Sequence, residues 1–192
     1  MLSKRLERIV DFLVSSGRNA NVDKEIILYG LTIAIEQAVS IISAIILGWL
    51  IGLVWEVIIF LVAFCPIRTY AGGYHCKTAI QCYFMSVGTI FAVLMIVKHT
   101  PQKYITHICV LLLFIAVPLI WKLAPVGAIS KPLDEVEKQH YRKITIRNLG
   151  IECCIIPILF FTELHNFAFM MSLGIVITAG AVVLQNQTTN II

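Results

Sequence analysis

Charged side chains are scarce in this sequence. Of its 192 residues, 14% are Asp, Glu, Lys or Arg, whereas a soluble domain carries about 25%. This shortage argues against an ordinary water-soluble domain, because 59% of the residues are hydrophobic and the mean hydropathy is +0.89. So apolar a chain predicts the lipid bilayer as its solvent.

Patterns of metal binding and nucleic-acid binding are also missing. The six cysteines form neither a CxxC pair nor a Cys/His zinc spacing, so no metal and no other cofactor is expected. The net charge of +4 does not indicate nucleic-acid binding, because the basic residues lie between the apolar runs. Four cysteines within or beside apolar runs are interpreted as small packing residues: Cys65, Cys109, Cys153 and Cys154.

What the sequence does contain is a series of long apolar runs. They predict an all-α fold, a polytopic membrane helical bundle that forms one membrane-embedded domain over residues 1–192. The second run is short and is expected to tilt little or to be partly re-entrant. The six expected transmembrane spans are residues 26–51, 55–67, 79–97, 104–121, 149–162 and 167–184.

The N-terminal residues have a different pattern. Residues 2–14 place apolar side chains at helical spacing and charged ones on the opposite face, which predicts an amphipathic helix. The basic residues of this helix could bind lipid headgroups, or the helix could pack on the cytoplasmic side of the protein itself. Residues 1–22 are therefore interpreted as an interfacial helix with a linker, and residues 23–192 as the bundle.

The distribution of Lys and Arg predicts the orientation in the membrane. Five of the 15 lie in the first 25 residues, two in residues 68–77 and six in residues 122–148. Basic residues favour the cytoplasmic side. We therefore expect a multi-pass membrane protein with both termini in the cytoplasm and residues 68–77 at the cytoplasmic face.

Two carboxylates fall within or near the apolar runs. An ionisable group at membrane depth is costly and usually faces protein or water, so Glu36 and Glu152 are candidates for a polar site. For Glu152, only three residues past Asn148, a position near the membrane interface or a helix–helix hydrogen bond is the favoured interpretation.

Residues 68–82, RTYAGGYHCKTAIQC, carry the groups that could perform chemistry. A cysteine attacks a carbonyl carbon as a thiolate, and a histidine can take its proton and later pass it to the leaving amine. On one straight helix, His75 and Cys82 would be about 10.5 Å apart along the axis. A catalytic pair therefore requires a break in the helix, and Gly72-Gly73 supply the backbone freedom.

A new helix that begins near residues 77–79 would carry Cys82 in its early turns, where the helix dipole favours a thiolate. Cys76 and Cys65 are rival nucleophiles, although Cys65 lies inside an apolar run. Chemistry alone leaves a purely structural explanation of this segment open, since short motifs are weak indicators.

The same 15 residues resemble the signature of the accessory gene regulator protein B (AgrB) family. The length, the six apolar runs and the basic N-terminal stretch are similar as well. The resemblance implies that His75 and Cys82 are the catalytic pair and that Arg68 and Gly73, with the adjacent Gly72, support the site. Cys76 stands where the family would be expected to have a small residue.

The resemblance further implies a cysteine endopeptidase of quorum sensing in Gram-positive bacteria. Such an enzyme removes the C-terminal tail of a membrane-bound propeptide through an acyl-enzyme thioester, and a thiol or hydroxyl of the propeptide then closes a thiolactone or lactone. The implied partners are a propeptide with an amphipathic leader and an acidic tail, membrane lipids and a second copy of the chain in a homodimer.

Several assignments stay open at this level. A group of basic residues could attract the acidic tail or could only set the topology. A third catalytic group is not identified, with Gln81, Thr78, Ser86 and Glu36 as candidates. The competing functions are a small transporter or channel subunit and a membrane anchor that binds a partner. The basic group comprises Lys131, Lys138, Arg142, Lys143 and Arg147.

Overall fold

The computed structural model describes residues 24–73, 78–127 and 133–191. Within these ranges the chain is helical, and the only extended pairing is an isolated bridge between Gly72 and Val126. All six helices are long and apolar enough to cross a membrane, so the predicted fold class is confirmed. The helices are α1 (Lys24–Ile51), α2 (Val54–Ala71), α3 (Ala79–His99), α4 (Gln102–Leu123), α5 (Glu135–Phe161) and α6 (His165–Ile191). The predicted N-terminal amphipathic helix lies outside the described residues.

The second span is longer than the sequence indicated. Helix α2 has 18 residues, a length of about 27 Å, which is enough to cross a membrane. The helix continues past the apolar run through Arg68 to Ala71, and the Thr69 hydroxyl donates to the Cys65 carbonyl within it. The expectation of a short second span is therefore wrong, because polar residues extend the helix; its tilt in the membrane stays a prediction.

The fifth helix also begins earlier than the apolar run. Asp134 caps its N-terminus by accepting hydrogen bonds from the backbone N–H groups of Val136 and Glu137, both at 2.8 Å. An acidic cap stabilises a helix N-terminus. The polar residues that precede position 149 are thus the first half of α5.

The contacts of the described residues define two units, with the boundary between Ser43 and Ala44 inside α1. In the second unit α6 is the most buried span, and it packs against α4, α2 and α5. Small residues along α6 permit this close packing. Two buried hydroxyls on α6 donate to carbonyls of the same helix, Ser172 to Ala168 and Thr178 to Gly174.

The connections between helices gather at two ends of the second unit. At one end, the Gln102 amide donates to Asn166 at 2.7 Å, which joins the α3–α4 turn to the α5–α6 turn. At the other end, Gly72 after α2 pairs with Val126 after α4, and Gln185 of α6 donates to Gly127. The connections therefore alternate between the two ends, as expected for consecutive helices that cross a membrane in opposite directions. Which end faces the cytoplasm stays a prediction.

Candidate active site

The chain between α2 and α3 makes the break that the sequence predicted. Helix α2 ends at Ala71 and α3 begins at Ala79. Gly72 and Gly73 have φ angles of +72° and +132°, a region that side chains other than glycine seldom occupy. An uninterrupted helix through this segment is therefore excluded, and that removes the geometric objection to a pair formed by His75 and Cys82.

Both glycines are also required by close contacts. A Cβ atom on Gly72 would lie 2.0 Å from the Val126 carbonyl oxygen. A Cβ atom on Gly73 would lie 3.0 Å from Arg68 Nη1 and 3.1 Å from the backbone of Ala181 on α6. The turn is thus confined by the segment after α4 and by α6, and any side chain at Gly72 would have to displace backbone atoms.

Arg68 links this turn to the cysteine. Its Nη1 donates a hydrogen bond to the Gly72 carbonyl at 2.6 Å. The guanidinium also lies close enough to Cys82 for an electrostatic interaction. Arg68 is partly buried, so its charge acts where bulk water screens it less. The structure therefore places Arg68 within electrostatic range of Cys82 and in hydrogen-bond contact with the Gly72-Gly73 turn.

Cys82 lies in the first turns of α3 and is partly exposed. Thr78 caps this helix: its hydroxyl accepts from the Gln81 N–H at 3.3 Å, and its carbonyl accepts from the Cys82 N–H at 3.1 Å. The Ser86 hydroxyl donates to the Cys82 carbonyl at 2.9 Å. Two candidates for a third catalytic group, Thr78 and Ser86, thus have local roles in α3. The position of Cys82 places its sulfur at the positive end of a helix dipole.

His75 and Cys76, together with Lys131, lie outside the described residues. Along the chain, His75 follows Gly73 by two residues and precedes Thr78 by three. Its pairing with Cys82 stays a prediction.

The basic residues after α4 have different environments. Lys138 forms an ion pair of 3.7 Å with Glu135, and both side chains are well exposed. Arg142 donates to the carbonyls of Trp121 and Ala124, at 3.2 and 3.3 Å, so it caps the C-terminal end of α4. The sequence did not indicate this role, because the cap joins residues of different helices. Lys143 and Arg147 are exposed.

Glu152 is more deeply buried than the sequence indicated. Its side chain is on the buried face of α5 between Leu149 and Ile156, and the residue is only 6% exposed. Within the described part of the chain, its Oε2 atom has no hydrogen-bond partner. The expected helix–helix hydrogen bond is therefore not formed by this atom.

Comparison with known proteins gives a consistent result. A family model described as Accessory gene regulator B matches residues 6–185. The "Putative AgrB-like protein" of Clostridium perfringens (strain SM101 / Type A) is 28% identical over 178 residues, covering 89% of this chain and 80% of the relative. The "Putative AgrB-like protein 2" of Clostridium perfringens (strain 13 / Type A) is 27% identical over 155 residues, covering 77% and 72%. No solved structure matches.

Proposed function

The chain belongs to the accessory gene regulator B family, and from this premise we propose that it is a membrane-embedded cysteine endopeptidase that matures a quorum-sensing propeptide. Family membership supports a role in the agr quorum-sensing system, and with the six apolar helices it identifies a multi-pass membrane protein. The observation that carries the proposal is the placement of Cys82 in the first turns of α3, within electrostatic range of Arg68 and after the break that follows α2.

In the proposed reaction Cys82 is the nucleophile and His75 the general base. His75 takes the thiol proton, and the thiolate attacks the scissile carbonyl carbon of the propeptide. The C–N bond then breaks, the amine of the acidic tail leaves with the proton from His75, and the leader remains on Cys82 as a thioester. The positive charge of Arg68 and the N-terminus of α3 stabilise negative charge that develops beside Cys82.

Ring closure completes the proposed reaction without ATP. A thiol or hydroxyl inside the propeptide passes its proton to His75 and attacks the thioester carbon, the carbon–sulfur bond to Cys82 breaks, and the Cys82 sulfur takes the proton back from His75. The acyl group stays activated throughout, so the step needs only the exclusion of water. Apolar surroundings at the membrane boundary favour that exclusion.

The proposed substrate carries an amphipathic leader and an acidic tail. The exposed cations Lys143 and Arg147 lie on the polar first half of α5, whose N-terminus is at the same end as Cys82. They would attract the tail, whereas the ion pair with Glu135 weakens the field of Lys138. We place this end in the cytoplasm, with both termini, and expect the enzyme to act as a homodimer.

The experiment is co-expression of the full chain with a propeptide of this type. Cys82→Ala and His75→Ala should each abolish cleavage while the amount of protein in the membrane stays the same, because nucleophile and base act as a unit. Cys154→Ala, which changes an exposed cysteine on α5, is the matched control and should cleave normally. Normal cleavage by Cys82→Ala would overturn the proposal.

Glu152 favours a second candidate function, transport across the membrane. A buried carboxyl group with an unpartnered oxygen among membrane spans is often part of a pathway for protons or solutes. This function predicts that Glu152→Gln leaves cleavage intact in vesicles but stops the product from crossing them. If the variant and the natural protein transfer equal amounts of product across the vesicle membrane, this candidate function is wrong.

A further inference from the structure

The segment that follows α4 forms a contact with the turn that leads to His75. We call residues 124–127, Ala-Pro-Val-Gly, the strap. The Val126 N–H donates to the Ala71 carbonyl at 3.0 Å, and Val126 forms the parallel bridge with Gly72. Because this contact joins two backbones, any displacement of the strap moves Ala71 and Gly72 as well.

Helix α6 holds the strap from the other side. The Gln185 side-chain amide donates to the Gly127 carbonyl at 3.3 Å, and Gln185 is only 4% exposed. One helical turn earlier, Ala181 packs against Gly73. Residues four apart lie on the same face of a helix. One face of α6 therefore contacts both the strap and the glycine turn.

The hydrogen bond to Gly127 distinguishes this contact from ordinary apolar packing. The core around α6 consists largely of aliphatic side chains and small residues, whose apolar contacts have no required direction. A hydrogen bond is directional and weakens when its geometry changes. A buried amide at this position thus fixes the strap in one place, where an aliphatic side chain would only fill space.

We propose that Gln185 is a positioning residue of the cysteine peptidase, an inference that rests on the proposed function. Gln185 fixes the strap, the strap fixes Ala71 and Gly72, and this turn sets where the chain carries His75 towards Cys82. Arg68 joins the same arrangement through its hydrogen bond to the Gly72 carbonyl. Gln185 contacts neither the substrate nor the reacting atoms in this scheme.

The test compares Gln185→Leu with Gln187→Leu. Both glutamines lie on α6, but Gln187 is exposed and serves as the matched control. Each full-length variant is purified in mild detergent, and only the monodisperse fraction is used. Propeptide cleavage gives kcat and KM. The same substitutions are also made in a protein whose five cysteines other than Cys82 are replaced by alanine. In these variants we measure the rate at which iodoacetamide alkylates Cys82.

Gln185→Leu should lower kcat by about 10- to 100-fold, the scale of a small displacement of a catalytic group, with little change in KM. The alkylation rate of Cys82 should fall towards, but not as far as, that of His75→Ala, because the base is displaced from the thiol rather than removed. Gln187→Leu should change neither quantity. Gln185→Met, which keeps the length of the side chain but has no N–H donor, should behave like Gln185→Leu and covers the case in which leucine prevents folding.

Two outcomes would overturn the inference. In one, Gln185→Leu and Gln185→Met lower the melting temperature but leave kcat and the alkylation rate of the folded fraction unchanged, so that Gln185 only stabilises the fold. In the other, both Gln185 variants have the same kcat and the same Cys82 alkylation rate as Gln187→Leu. Failure of the proposed function looks different: His75→Ala would then leave the alkylation of Cys82 unchanged, and Cys82→Ala would still cleave.

Discussion

The two ends of the second unit are built in different ways. At the end with Cys82, backbone meets backbone: Gly72 pairs with Val126, and Gly73 lies against Ala181. At the opposite end, the turns meet through the side chains of Gln102, which is exposed, and Asn166, which is partly exposed. These residues border an open hollow of about 340 Å³ that is also lined by Glu56, Glu163, Leu164, His165 and Phe167. Contacts between backbones cannot adjust to an added atom, whereas side chains can rotate. The difference indicates that the described backbone at Gly72 and Gly73 has less room for an added atom than the turns at the opposite end.

Two glycines, one at each end, provide the strongest test of this difference. Gly72 and Gly52 have similar φ angles, +72° and +82°, but a Cβ atom would meet Val126 O at 2.0 Å on Gly72 and nothing within 4 Å on Gly52. Gly72→Ala should cost about 2–6 kcal/mol from strain and overpacking and should abolish cleavage. Gly52→Ala should cost only about 1–2 kcal/mol from strain and should cleave normally once folded.

Thermal unfolding in detergent and propeptide cleavage measure these effects. Equal losses of stability and activity for the two variants would show that the backbone angle alone matters, and the contrast between the ends would then be wrong.

A second pair of variants separates charge from structure at the end with Cys82. Arg142→Gln and Lys138→Gln each remove one positive charge. Arg142 also loses two hydrogen bonds to the C-terminal carbonyls of α4, so its variant should be less stable by about 1 kcal/mol. Lys138 loses only an exposed ion pair, which is worth at most about 0.5 kcal/mol here.

The two variants should raise KM for the acidic propeptide by similar small factors, and low salt should enlarge this effect. The melting temperature and the salt dependence of KM are the measurements. A fall in stability for Lys138→Gln as large as for Arg142→Gln would contradict the cap assigned to Arg142.

The smallest effect is expected at the opposite end. Gln102→Ala removes the hydrogen bond to Asn166, but both residues are at the surface, and substitutions there usually stay within about 0.5 kcal/mol. Cleavage should be unchanged. A loss of activity in this variant would mean that the hollow takes part in the function and that the two ends are coupled.

Much of the fold follows from local pattern. Long apolar runs predict the six helices, and the separation that a straight helix imposes predicts the break at Gly72-Gly73. The ends of the helices were less well predicted: polar residues extend α2 to Ala71 and start α5 at Glu135, and hydropathy alone does not distinguish a polar helix from a loop.

The contacts that shape the candidate site could not be predicted, because they join distant parts of the chain. Gln185 lies 58 residues from Gly127, and Arg142 lies 21 residues from Trp121. The expected sixth span ends at residue 184, so by pattern Gln185 is only a boundary residue. In contrast, the motif carries Arg68, the two glycines and Cys82 within 15 consecutive residues, so its resemblance to a family signature could identify them together.

The central claim is that Cys82 becomes acylated by the propeptide, and its most direct test is to trap that adduct. The purified protein is mixed with a propeptide in which Ser or Cys of the ring is replaced by Ala, so that ring closure cannot release the leader. The mixture is then quenched in acid and analysed by mass spectrometry. We expect the leader fragment on Cys82, removed by hydroxylamine as a thioester should be and absent in His75→Ala. An adduct on Cys76 instead, or a cleaved tail with no adduct on any cysteine, would contradict the account.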